Sequence, residues 1–182
     1  MQSLQEDKSM KKKAQPKEKE GEQKGRAMQI VVFKQGDEEF AMHIDQIKEV
    51  VITPSIARMP QTPDFVLGVA NIRGNIIAIL DLEKKFGFQK DEQRTLGGKN
   101  FTLVIESEEF KMGVLVKEVP NTLTVYESEI EESLNVIHDS SMEQNYIKGI
   151  VKKEGRLIIM IDTLKIVTES EMNAVAQAVV SN

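Results

Sequence analysis

The chain has 182 residues, of which 40% are hydrophobic and 29% are charged, and its net charge is -5. This composition is typical of a folded globular protein, and the length suits one ordinary domain or two very small ones that share a core. With no Cys and only 2 His, the chain has no disulfide, no thiolate metal site and no cysteine nucleophile, and zinc sites built from several imidazoles are largely excluded.

Residues 1–26 form a charged tail. They contain eight Lys or Arg and five acids, so their net charge is +3 and the remainder of the chain carries -8. Because the tail has almost no apolar side chains to offset the entropy of ordering, we expect it to be disordered. The basic run 11–13 suggests an alternative function, a small-barrel protein that binds nucleic acid through this arm. The acidic body argues against nucleic acid as the main partner.

Residues 27–167 are predicted to be an all-β body, because short apolar runs alternate with turn residues. Strands are expected at 28–34, 39–44, 48–52, 68–73, 75–80, 101–105, 110–116, 123–126, 146–151 and 156–161. Hairpin turns are expected at Gly36-Asp37, Gly74-Asn75 and Glu154-Gly155. No apolar run reaches the roughly 20 residues that span a bilayer and no secretory signal is recognisable, so we expect a cytoplasmic protein.

Short helical elements are predicted between the strands. Thr62 and Pro63 have the residue types of an N-cap and a first helical position. Asp81 is expected to cap a short helix over 81–86. Two polar stretches are expected to be loops: 87–99 and 127–145.

The C-terminal residues 168–182 are predicted to form a helix. Thr168 and Glu171 have the spacing of a capping box, and apolar residues then recur at helical spacing. We expect this helix to pack on the body. Its alternative role is that of a partner-binding helix.

The sequence contains an internal repeat. The pattern F/Y-x-x-G-x5-G-x6-D covers residues 65–81 and occurs again over 146–162, at an offset of 81. An earlier F-x-M pattern at Phe40 recurs at Phe110, with an offset of 70. These matches predict two duplicated all-β units of about 65–75 residues that share a core. Short strands and closely spaced turns favour small closed barrels over one irregular β sandwich.

Catalytic motifs are missing from the sequence. It contains no GxxxxGK[ST], no GxGxxG after a strand and no GxSxG. His43 is expected to be a surface or rim residue, since it lies opposite the apolar stripe of its strand. We therefore expect no metal or cofactor, while pairs of carboxylates for acid–base chemistry stay open, since any two acids can meet in space and the sequence singles out none.

Arg73 is the polar residue that stands out, because it lies in the most apolar stretch of the chain. A guanidinium there must reach solvent, pair with a carboxylate or face a partner. The corresponding position of the second repeat is Glu154. This difference hints at a specialised role for the first repeat, with an exposed turn residue as the alternative.

The run FVLGVANIRGNII at 65–77 closely resembles the signature of the CheW chemotaxis coupling proteins. That signature is F-x-x-G-V-x-N-L-R-G followed by apolar residues and Asp-Leu, which Asp81-Leu82 supplies. With weaker similarity on both sides, the resemblance covers about residues 27–167. It implies two small five-stranded SH3-like barrels with a shared core and no catalytic activity. Ala78 and Glu83 depart from the family pattern, in which Pro and Arg are common at these positions.

The resemblance also implies a function and a set of partners. CheW proteins are adaptors that couple methyl-accepting chemotaxis receptors to the histidine kinase CheA in chemosensory arrays. The implied partners are the CheA regulatory domain and the cytoplasmic hairpin tip of the receptors, with membrane association only through receptors. Glu49 is expected to pair with Arg73. The implied receptor or kinase contacts are Ile47, Glu49, Val51, Gly68, Asn71, Arg73 and Gly74.

Overall fold

A computed structural model describes residues 25–88, 99–108, 110–132 and 146–180 of the chain, with side chains to residue 177. Most of the predicted tail lies outside the described residues, including the basic run 11–13. The same holds for most of the two predicted loops.

Eleven strands in the described residues form two sheets. The first sheet has the order β8-β1-β2-β11-β10-β9, formed by β1 (Ala27–Gln35), β2 (Glu38–His43), β8 (Asn121–Tyr126), β9 (Ile130–Glu132), β10 (Ile147–Lys153) and β11 (Arg156–Ile161). The second has the order β3-β6-β7-β5-β4, formed by β3 (Ile47–Ile52), β4 (Val66–Ile72), β5 (Asn75–Leu80), β6 (Phe101–Glu106) and β7 (Lys111–Val116).

Each sheet is closed into a barrel by the segment that follows one of its edge strands. In the first barrel, β8 pairs with β1, and after the 3-10 turn Glu127–Glu129 the chain returns as β9 to pair with β10. In the second barrel, the chain after β3 returns to β4, where Ala57 and Val69 exchange two backbone hydrogen bonds of 2.8 Å. Closure removes the unpaired backbone groups that open sheets leave at their edges. The fold is therefore the predicted all-β pair of small barrels. The second has the predicted five strands, and the first has six because the 3-10 turn divides its closing segment into β8 and β9.

Gly68 and Gly149 leave room for the closing segments. Both follow a register shift in their strand. A Cβ atom on Gly68 would lie 2.1 Å from the carbonyl oxygen of Ala57, and one on Gly149 would lie 2.7 Å from that of Glu131. The repeated glycine of the sequence pattern therefore allows barrel closure in both repeats.

The two barrels are not the two halves of the chain. The first barrel combines β1 and β2 with β8 to β11, and the second combines β3, β4 and β5 with β6 and β7. Parallel pairing of β2 with β11 and of β5 with β7 joins the halves in both barrels. The interpretation of each repeat as a contiguous structural unit is therefore wrong, because each barrel needs strands from both repeats.

The strand register also corrects the predicted offset of 70. Phe40 pairs with Ile159 in the first barrel, as Met112 pairs with Ala78 in the second. Ile159 and Ala78 are related by the repeat offset of 81, so the counterpart of Phe40 is Met112, at an offset of 72, and not Phe110. The predicted alignment was wrong by two positions. It still matched residues on the same strand face, because side chains alternate with a period of two.

The described residues form three apolar clusters. The shared core between the barrels includes Val31, Phe33, Phe40, Met42, Leu80, Leu82, Leu103, Ile105, Met112 and Val114. The interior of the first barrel contains Ile30, Val32, Ala41, Val125, Val151, Ile158 and Met160. The interior of the second contains Ala70, Ile72, Ile77, Ile79, Val104 and Leu115. Strands between a barrel interior and the shared core are apolar on both faces.

Glu83, which departs from the family pattern, connects the two barrels. Its side chain is buried and accepts a hydrogen bond of 3.0 Å from the backbone N–H of Gly36 in the β1–β2 turn. Lys117, which follows β7 of the second barrel, donates to its two oxygens at 2.6 and 2.8 Å. These bonds satisfy a carboxylate that would be costly to bury alone.

Three helices accompany the barrels in the described residues: α1 (Leu82–Lys85), α2 (Thr163–Ile166) and α3 (Glu169–Val180). Asp81 caps α1 through a 3.2 Å hydrogen bond from the backbone N–H of Lys84, as predicted. Asp162, its counterpart in the repeat, accepts from Leu164 at 3.1 Å. None of the described helices has the length and apolar composition needed to cross a membrane.

Two local predictions are wrong. Thr62 caps no helix, because its hydroxyl donates backwards to the carbonyl of Met59 and Pro63 begins a single turn closed by the N–H of Val66. Residues 127–132, predicted as part of a loop, form the 3-10 turn Glu127–Glu129 and β9. The polar sequence gives little sign of a strand there, and pairing with β10 to close the barrel overrides local preference.

Helix α3 is anchored to the shared core. Met172 and Val175 pack against that core. The predicted capping box is present, since Thr168 N–H donates to Glu171 at 2.8 Å and Glu171 N–H donates to the Thr168 hydroxyl at 3.3 Å. Lys85 of α1 also donates to Glu171 at 2.5 Å. The helix therefore packs on the body as expected.

We expect the stabilisation by Glu171 to depend on pH. Burial tends to raise the pKa of Glu171, but hydrogen bonds from Lys85 and Thr168 outweigh it and place the pKa below the ordinary 4.5. An acid whose pKa is lowered by folding stabilises the folded protein at pH values above its ordinary pKa. This stabilisation is lost as the pH falls through the pKa of the folded state. In urea unfolding at pH 7, Glu171→Gln should lose about 1 kcal/mol. The difference from wild type should shrink towards zero below pH 4.5, and a difference independent of pH would contradict this assignment.

Candidate interaction site

The β4–β5 hairpin presents Arg73 at its tip. Ile72 pairs with Asn75, so the two central turn residues are Arg73 and Gly74, with φ of 51° and 86°. Positive φ at both positions is typical of the two-residue turns whose twist matches a hairpin. The predicted turn at Gly74-Asn75 is one residue too late. Arginine is an unusual residue for the first position, since a side chain in this conformation is strained.

The guanidinium of Arg73 reaches the predicted partner on β3. Its Nε donates to an oxygen of Glu49 at 2.6 Å. The Arg73 side chain is 75% exposed and that of Glu49 is 21% exposed. An ion pair this exposed contributes about 0–1 kcal/mol to stability. The pair therefore does little for the fold, which leaves its charges available at the surface.

Two exposed aliphatic residues lie on the strand that carries Glu49. Val50 and Ile52 are 43% and 62% exposed. Lys48, on the same strand, pairs with Glu106 of β6. Apolar side chains bordered by charged groups have the composition of a protein interface, with an apolar centre and a polar rim. Side chains alternate along a strand, so Val50 and Ile52 point to the opposite side of β3 from Glu49. We call the surface on the two sides of β3, formed by Glu49 and Arg73 on one side and by Val50 and Ile52 on the other, the β3 face.

The other residues predicted for the site have more internal positions. Ile47 packs against the shared core and Val51 against the interior of the second barrel, both partly buried. Gly68 is buried beside Ala57, where it allows closure. Their positions favour an indirect contribution to a binding surface, through its shape.

Asn71 and Gly74 lie at the exposed tip with Arg73. The Asn71 side-chain oxygen accepts a 2.8 Å hydrogen bond from the backbone N–H of Gly74. The structure therefore brings Glu49, Asn71, Arg73 and Gly74 together.

Sequence reasoning missed Val50 and Ile52 as surface residues. The signal was present in the run KEVVI, because successive strand residues point to opposite sides. With Val51 directed inwards, its neighbours Val50 and Ile52 must point outwards. The sequence alone did not establish which of the alternating sets faces solvent.

The first barrel provides an internal comparison for the β3 face. Counterparts follow from pairing, because β3 pairs with β6 as β8 pairs with β1. At the offset of 72, Asn121 replaces Glu49, and Thr122 and Thr124 replace Val50 and Ile52. At the offset of 81, Glu154 replaces Arg73 at the tip of the other hairpin. The Glu49–Arg73 ion pair and the exposed aliphatic residues of β3 are therefore specific to the second barrel.

These features define a class of protein. Two small barrels share a core, and their distinguishing surface combines exposed aliphatic side chains with a charged pair on a strand and a hairpin tip. Such a surface suits recognition of another macromolecule.

Comparison with known proteins gives the family. The CheW-like domain profile matches residues 29–171. A chemotaxis protein CheW from Thermotoga maritima is 31% identical over 141 residues, covering 78% of this chain and 88% of the relative. The chemotaxis protein CheW of Bacillus subtilis is 30% identical over 150 residues, covering 80% and 91%. The chemotaxis protein CheW of Rhizobium meliloti is 27% identical over 146 residues, covering 80% of this chain and 91% of the relative.

A solved structure agrees with the sequence relatives. The crystal structure of the scaffolding protein TtCheW from Thermoanaerobacter tengcongensis matches with a TM-score of 0.68 and 28% identity, covering 80% of this chain and 96% of the other. The chain belongs to the CheW-like family, whose members are non-catalytic scaffold and adaptor proteins of chemotaxis.

Proposed function

We propose that this protein is a non-catalytic adaptor that couples methyl-accepting chemotaxis receptors to the histidine kinase CheA. Its partners are then the CheA regulatory domain and the cytoplasmic hairpin tip of the receptors. It would act in the cytoplasm at receptor arrays and associate with the membrane only through receptors. The family relationship supports this choice of partners.

The observation that carries the proposal is the β3 face. Glu49 and Arg73 form a 2.6 Å ion pair that adds little stability, and Val50 and Ile52 are exposed on the other side of the same strand. A charge pair at an interface sets the register and excludes wrong partners, while the apolar residues supply binding free energy. We assign the CheA regulatory domain to this surface, and Ile47, Val51 and Gly68 support its shape.

Replacing the exposed aliphatic residues by those of the first barrel tests this assignment. The double variant Val50→Thr/Ile52→Thr should bind the CheA regulatory domain about 10-fold more weakly, because it loses apolar area that the complex buries. Its free energy of unfolding should change by less than about 1 kcal/mol, since both positions are exposed. Calorimetric titration measures the affinity and urea unfolding measures the stability.

The first barrel supplies a matched control. Thr122→Ala/Thr124→Ala changes the counterpart positions and should leave the affinity as in wild type. Wild-type affinity in the Val50→Thr/Ile52→Thr variant would place the kinase contact elsewhere.

A further inference from the structure

The side chain of Asn71 is bonded within its own hairpin. Asn71 is exposed, and its Oδ1 accepts the 2.8 Å hydrogen bond from the backbone N–H of Gly74. The bond spans Arg73, whose backbone has the unfavourable φ of 51°. It thus connects the strand before the turn to the second residue of the turn.

The second repeat shows that this bond is not needed to form the turn. Glu154 and Gly155 adopt the same left-handed pair, with φ of 53° and 74°. The counterpart of Asn71 is Lys152, and a lysine ammonium group has no hydrogen-bond acceptor. Its ammonium pairs instead with Glu131. The bond from Asn71 is therefore an addition found in the repeat whose turn carries Arg73.

We propose that Asn71 is a positioning residue that holds the Arg73 turn in the conformation in which the guanidinium meets Glu49. An exposed arginine has many rotamers, and here a single 2.6 Å bond to Glu49 orients it. Fixing the backbone beneath the side chain reduces the entropy lost when a partner binds. This inference rests on the proposed function, since it describes how the β3 face is kept ready for its partner.

Two substitutions separate the positioning role of the Asn71 side chain from the effect of its volume. Asn71→Ala removes the acceptor, whereas Asn71→Asp keeps an oxygen that can accept from Gly74. In the free full-length protein, the Arg73 Nε–H should give a hydrogen-bonded NMR signal, assigned by its loss in Arg73→Ala. We expect Asn71→Ala to shift this signal towards that of a solvated arginine and Asn71→Asp to retain it. Lys152→Ala, the matched control in the other hairpin, should leave it unchanged.

Binding provides the second readout. Asn71→Ala should weaken binding of the CheA regulatory domain about fivefold, and Asn71→Asp should restore most of the loss. In an Arg73→Ala background, Asn71→Ala should add less than about twofold, because coupled residues are not additive. An equal loss with and without Arg73, or an unchanged Nε–H signal in Asn71→Ala, would overturn the positioning role.

The two readouts also separate this inference from the proposed function. The NMR signal is measured without a partner. If wild type failed to bind the kinase domain, the proposed function would fail while the NMR comparison still decided the role of Asn71.

Discussion

Replacing Gly68 with Ala is expected to lower the free energy of unfolding by about 4 kcal/mol. The new Cβ would lie 2.1 Å from the carbonyl oxygen of Ala57. Because the nearest atoms all belong to the backbone, no flexible side chain can move away to make room. The φ of +140° adds strain for any residue with a side chain. The two hydrogen bonds between Ala57 and Val69 that close the second barrel must then lengthen or break. Urea unfolding monitored by circular dichroism measures the effect.

Glycines elsewhere in the repeat provide graded controls. Gly149→Ala should be the next most damaging, because its Cβ would lie 2.7 Å from the carbonyl oxygen of Glu131. Gly155 has φ of +74°, and a Cβ added there would meet no heavy atom within 4 Å, so Gly155→Ala should cost only about 1–2 kcal/mol. A Gly68→Ala variant no less stable than Gly155→Ala would show that the closing contact is not tight.

Reversing the charge of Arg73 is expected to weaken binding of the CheA regulatory domain about 100-fold, while the protein remains folded. Arg73→Glu places a second carboxylate against Glu49, so the β3 face presents two like charges where it had a pair. Because Arg73 is 75% exposed, its loss should change the free energy of unfolding by less than about 1 kcal/mol. Calorimetric titration gives the affinity, and thermal unfolding confirms the fold.

Glu154 is the matched position for this experiment, since it occupies the same left-handed place in the other hairpin. Glu154→Arg changes the charge of that tip without affecting the β3 face, and we expect wild-type affinity. An unfolded Arg73→Glu protein would instead make Arg73 a structural residue. Equal losses in both variants would indicate a general effect of charge.

The strands could be predicted from the sequence because local patterns determine them. Apolar runs between glycines marked the hairpins, and the capping box of Thr168 and Glu171 marked the start of α3. The exchange of strands between the two barrels could not be predicted. It depends on parallel pairing of residues such as Phe40 and Ile159. These residues are far apart in the sequence, and no local pattern indicates that they pair.

The candidate site was only partly accessible to sequence reasoning. Glu49 and Arg73 are 24 residues apart in the chain, and physical reasoning on the residues left an exposed turn arginine as an equal alternative. The family resemblance supplied the partner. The exposure of Val50 and Ile52 required the structure, because their strand has apolar residues on both sides. The role of Asn71 required the geometry of the turn.

The proposed adaptor function requires the protein to bind the kinase through its second barrel. The most direct test is a titration of the full-length protein with the cognate CheA regulatory domain, with duplex DNA as the comparison ligand. We expect saturable one-to-one binding that is about 100-fold weaker in Arg73→Glu and unaffected by removal of residues 1–26. Absence of kinase binding, together with salt-dependent DNA binding lost on removal of residues 1–26, would contradict the adaptor function and favour the nucleic-acid alternative.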